Sequence, residues 1–144
     1  MNLDLEEYVE QAHFYSLLHD RLPKNIPLQE LLFQAQDEVL STTKLPMAID
    51  FMLSEIRHAG TCHTAMAKLP HYFTPFQVYV VQEAENDRGR MDMRTAALIL
   101  QREAEYRGEN GARPGVFMYQ FETLCRNRLS YDQGLGAMAA DPLY

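Results

Sequence analysis

The stretch Thr74-Pro75-Phe76-Gln77-Val78-Tyr79-Val80-Val81-Gln82-Glu83-Ala84-Glu85 (TPFQVYVVQEAE, 74–85) decides the fold class. Its centre, VYVV at 78–81, is β-branched and aromatic and by itself suits a short strand. The flanks argue otherwise. Thr74 is a good N-cap, and Pro75 falls at the first helical position, where a missing N–H costs nothing. The spacing therefore predicts a helix, and with it a chain that is helical throughout.

Working outward, the same pattern recurs. In LQELLFQAQDEVL, apolar residues fall at Leu28, Leu31, Leu32, Ala35, Val39 and Leu40, the stripe of an amphipathic helix that starts at Pro27. Helices are predicted over 4–21, 27–42, 46–59, 62–69, 75–87, 90–107, 115–127 and 130–140. Breaks such as LPKNIP, AGT, LPHYFTP and GENGARPG carry Gly, Pro or a capping residue. Short connections make sequence neighbours pack antiparallel. The expected fold is an all-α antiparallel helical bundle of about six short helices over 1–108, with an additional C-terminal helix pair over 109–144 packed on the same domain. Leu32, Phe51, Ile56, Val80 and Leu98 are expected in its core.

The chain has 144 residues, enough to bury a core, and a net charge of −7. That charge repels phosphate backbones, so nucleic acid is not an expected partner. The opening MNLDLEEYVEQ is acidic and unlike a signal peptide. The longest apolar runs, VYVV and AALIL, fall far short of the ~20 residues that cross a bilayer. Cys62 and Cys125 stand alone, which suits free thiols in a reducing cytoplasm.

Few residues suggest chemistry. Glu10–His13 and Glu55–His58 both spell E-x-x-H, which places acid and imidazole on one helix face. Two such helices, with Glu38, Glu83 or Glu103 added, would build a ferritin-like di-metal carboxylate site. Solvated Glu–His pairs are the simpler reading. Cys62 and His63 resemble half of a zinc site, with no second half at ligand spacing. No nucleophile elbow, P-loop or dinucleotide fingerprint occurs. The residues describe a non-enzymatic module.

The order of the turns carries one resemblance. Asn25-Ile26-Pro27-Leu28, then Gly60-Thr61-Cys62, then Pro70, Phe73 and Pro75, then Ala84, Gly89, Arg90 and Met91, resembles the cytoplasmic F domain of type II secretion and type IV pilus assembly platform proteins, the GspF/PilC-like family. The likeness covers about 14 to 107. It implies a scaffold that binds an assembly ATPase or other platform subunits, cytoplasmic and peripheral to the inner membrane through those partners; the alternative to it, beside the di-metal protein, is a stand-alone helical adaptor unrelated to secretion. The resemblance also implies that AENDRGRMD (84–92) is the acidic turn between the last two helices of the domain. Either Glu85 replaces the family's glycine and Asn86 takes the glutamate position, or one residue is inserted. Such turns lie at a cation site on a dimer interface. Glu85, Asn86, Asp87 and Asp92 are then the expected ligands of a weak calcium site shared by a homodimer, because calcium takes six to eight oxygens. Family proteins carry two such domains. Accordingly, 14–35 aligns with 117–138 without gaps: Phe14 meets Phe117, Leu18 meets Phe121, Leu22 meets Cys125, Ile26 meets Leu129 and Leu32 meets Leu135.

Overall fold

The computed structural model describes residues 3–24, 26–86, 91–108 and 113–141. Among them run eight α-helices and one 3₁₀ turn, with no strand. The helices are α1 (Leu5–Arg21), α2 (Leu28–Gln36), α3 (Leu45–Ala59), α4 (Cys62–Ala67), α5 (Pro75–Glu85), α6 (Met93–Gly108), α7 (Arg113–Arg126) and α8 (Tyr131–Ala139). The 3₁₀ turn, Leu22–Lys24, follows α1.

VYVV is helical for two reasons. A capping box starts α5: the Thr74 hydroxyl accepts from the Gln77 N–H at 3.3 Å, and the Gln77 side chain accepts from the Thr74 N–H at 2.8 Å. Tyr79, Val80 and Val81 are then buried by neighbouring helices, which outweighs their modest strand preference. At the end of α3, Gly60 adopts φ 78° and its N–H reaches the Ile56 carbonyl at 2.8 Å. Only glycine takes that left-handed position cheaply.

The most extensive contact is between α1 and α6. Ala96, Ala97 and Ala104 on α6 are buried and small, so the two helices approach closely. The other helices pass around this pair, α2 on α3, α3 on α4, α4 on α5 and α5 on α6. α7 packs on α6, and α8 on α5 and α7. Leu124, Leu129 and Met138 from the C-terminal pair join the same apolar cluster as Phe14, Leu31 and Phe76.

Three expectations need correction. The second helix ends at Gln36 rather than 42. Carboxylates of α1 compete for the main chain there: Glu10 accepts from the Leu40 N–H at 3.2 Å, and both oxygens of Glu7 accept from the Lys44 N–H at 3.0 Å. Leu32, Ile56 and Val80 are in the core, but Phe51 and Leu98 are only half-buried. The repeat alignment also fails as a structural repeat. Phe14 is 2% exposed where Phe117 is 41%, and Leu32 is 1% exposed where Leu135 is 40%. α7 buries Val116, Gln120, Thr123 and Leu124, a different flank from the one that the alignment matched to α1. Helical period alone makes two apolar stripes align.

Gly134 lets α8 sit against α7. An added Cβ would lie 2.5 Å and 2.8 Å from the Leu124 methyl carbons, and Leu124 is fully buried, so its side chain would have to shift within the core. Gly134→Ala is expected to cost about 1–3 kcal/mol in urea unfolding, as overpacked sites do. A loss below about 0.5 kcal/mol, the range of surface changes, would show that this contact is loose.

Candidate functional site

Two amphipathic helices that diverge on the surface leave a groove between them. α6 and α7 do so, enclosing about 590 Å³. Leu98 and Ile99 form its apolar floor, and Tyr106 and Tyr119 face one another with ring centroids 5.0 Å apart, tilted by 38°. The Tyr119 hydroxyl donates to the Ile99 carbonyl at 3.3 Å, which fixes the ring. Arg102 and Arg126 stand on the two walls. Arg126 is paired with Glu122, while Arg102 makes no ion pair among the described residues. The half-exposure of Leu98 now has a reason, since it lines the groove rather than the core. The sequence signal was present in the apolar stripe of α6, but a stripe does not say whether its edge is covered.

A buried polar cluster holds the walls of this groove in place. Arg107 of α6 bonds to Glu103 on its own helix and to both oxygens of Asp141, just beyond α8. Gln120 of α7 donates to Glu103 at 3.0 Å and to Asp141 at 3.3 Å. All four side chains are almost completely buried. Burial pushes the Glu103 carboxyl upward, and Arg107 and Gln120 only partly oppose it. Nearby, Gln77 donates to Gln11 at 3.0 Å, joining α5 to α1. Burial also raises the Tyr15 and Tyr72 hydroxyls, so both stay protonated. Glu103 and Arg107 are an i,i+4 pair that the sequence shows, but nothing there announced the cluster, because Gln120 and Asp141 lie far along the chain.

The acidic turn has structural duties. Glu85 accepts from the main-chain N–H groups of Cys62 at 2.6 Å and His63 at 2.8 Å, and meets the His63 ring at 2.8 Å. It anchors the start of α4 to the end of α5. Asp92 accepts from the Thr95 N–H at 2.8 Å, capping α6, and that bond lowers its carboxyl from the ordinary range. Asn86 is exposed, and Asp87 lies outside the described residues. The described carboxylates expected to hold calcium are thus aimed at main-chain amides, not at a common point. The E-x-x-H pairs do not converge either. Glu10 serves Leu40, Glu38 pairs with Arg21, Glu55 pairs with Lys68 and Glu103 lies in the cluster, while His13 and His58 are exposed. Among the described residues no three His, Cys, Asp or Glu side chains could share an ion. Cys62 is buried beside Met52, and burial, with Glu85 close by, pushes its thiol up to about 12. That makes it a poor nucleophile at neutral pH.

Comparison with family models, characterised proteins and solved structures finds no match to this chain.

Two outcomes test these assignments. Glu85→Ala removes a carboxylate that satisfies buried amides, so it is expected to cost about 1–3 kcal/mol. Urea unfolding with calcium and with chelator is expected to give the same loss, whereas a loss seen only with calcium would support the ion role. For Glu103 the folded carboxyl lies above its unfolded value, so its contribution to stability is full at low pH and is lost as pH rises through the folded value. Glu103→Gln, which keeps an acceptor for Arg107, removes that loss. The variant's stability relative to wild type is expected to rise with pH above the ordinary carboxylate range, read by urea unfolding at a series of pH values. A difference that stays flat with pH would show that Glu103 is not penalised by burial.

Proposed function

We propose that this chain is a non-enzymatic helical scaffold module that holds a segment of a partner protein in the groove between α6 and α7. The observation that carries this reading is the groove itself. It combines an apolar floor, a paired tyrosine wall and two arginines at the rim, the residue types that dominate binding energy at interfaces. Glu105 and Glu122 also line the groove and Glu122 pairs with Arg126, so the partner segment is held chiefly by apolar anchors, with Arg102 favouring one acidic group beside them. The buried cluster under the groove keeps its walls in place before binding, which lowers the ordering cost.

We place the module in a secretion or pilus assembly machine, with the assembly ATPase or a platform subunit as partner. The support is the order of turns at Ile26-Pro27, Gly60, Pro70-Phe73-Pro75 and Gly89-Arg90 in the sequence. Among the described residues no helix is long and apolar enough to cross a membrane. Contact with the inner membrane, on this reading, is made through partners, and the module works on the cytoplasmic side.

The test is direct binding of the purified chain to an assembly ATPase and to platform subunits, by calorimetry or co-elution. Arg102→Glu and Tyr106→Ala, both at exposed side chains, are each expected to weaken binding about tenfold or more, a loss of about 1.4 kcal/mol. Circular dichroism is expected to stay unchanged. Binding that neither variant weakens would remove the groove, and no binding to any of these partners would remove the machine.

A further inference from the structure

α7 has a second outward flank, opposite the groove. Phe117, Met118, Phe121 and Cys125 recur along it at helical spacing, while Val116, Gln120 and Leu124 face the core. Tyr131 and Leu135 of α8 extend the same face. The rings form a ladder: Phe117 and Phe121 lie 6.1 Å apart and nearly parallel at 11°, and Phe121 and Tyr131 lie 6.3 Å apart at 20°. Met118 is 62% exposed, Tyr131 54% and Leu135 40%. Aromatic residues and Met are among the types enriched at protein interfaces.

The charge distribution says what covers it. Residues 87–144 hold eight carboxylate side chains and eight arginines and are neutral, so the whole net charge of −7 lies in residues 1–86. Two copies that approach through their first 86 residues repel one another. Approach through the α7–α8 hairpin meets no net charge, and an apolar face is complementary to itself. We propose that the outer face of the α7–α8 hairpin pairs with the same face of a second copy of this chain about a twofold axis. The 14 residues of α7 make a face ~21 Å long. A face of that length covers less than the ~800 Å² per partner of a standard interface, so the dimer is weak and concentration-dependent. This inference uses the flank of α7 away from Tyr119, Glu122 and Arg126, so it does not rest on the groove, and it does not involve the 85–92 turn.

Sedimentation over a wide concentration range tests it. The average mass is expected to rise from 16.6 kDa toward twice that value. The rise is expected to steepen with added salt, which screens the repulsion between acidic surfaces. Tyr131→Glu and Leu135→Glu are each expected to weaken association at least about tenfold, with helical content unchanged. Arg102→Glu and calcium chelation are expected to leave association as it was. Maleimide labelling gives a second readout: the exposed Cys125 is expected to react more slowly as concentration rises, while the buried Cys62 stays silent. A monomer mass at every concentration and salt would overturn the proposal, including the case in which a different protein covers this face. So would Glu variants that associate as tightly as wild type.

Discussion

Arg107 sits between Glu103 and Asp141, sealed from solvent, and much of the architecture depends on that placement. One guanidinium joins α6 to the segment beyond α8, and Gln120 brings α7 to the same point. Two carboxylates share one buried cation, so the charges do not cancel unless one acid keeps its proton. Burial pushes Glu103 in that direction. Such a cluster gives less net stability than apolar packing would, but removing one partner strands the others at a cost of ~3–5 kcal/mol. It therefore holds α6, α7 and α8 in one relative placement more than it holds the chain folded.

Acidic residues elsewhere do comparable work. Glu7 and Glu10 reach from α1 to main-chain amides between α2 and α3, Glu85 reaches to the start of α4, and Asp92 caps α6. An excess of carboxylates in a short-helix protein has a physical use, because every helix start leaves N–H groups without partners. Part of the −7 charge is thus structural: Glu7 and Glu85 serve helix starts that lie far away in sequence. The same use explains why the described carboxylates of the acidic turn at 84–92, Glu85 and Asp92, are aimed at main-chain amides.

α7 shows how one helix serves three surroundings. One flank packs into the core through Val116 and Leu124, one lines the groove through Tyr119 and Arg126, and one carries the aromatic ladder of Phe117 and Phe121. The hairpin is pinned beneath by Gly134 against Leu124 and by the Tyr79 hydroxyl, which donates to the Ser130 carbonyl at 3.3 Å. A rigid support beneath two outward faces suits the docking roles proposed for them.

The sequence by itself determined the helical class and nearly every helix position. Caps, prolines and glycines act within a few residues, so Thr74-Pro75 and Gly60 were legible without the fold. Core residues at the centre of a stripe, such as Leu32 and Val80, were legible for the same reason. Only the tertiary structure decided which edge of a stripe is covered. That is why Leu98 and Phe51 proved half-buried and why Leu135 faces outward where its aligned counterpart Leu32 is buried. It also decided where each carboxylate goes. Glu85 reads as a surface ligand in the chain and becomes the anchor of α4, while the Glu103–Arg107 pair of α6, Gln120 and Asp141 meet only because three segments converge. Periodicity reports the direction of a side chain relative to its own helix, and a site depends on what a second helix places opposite it.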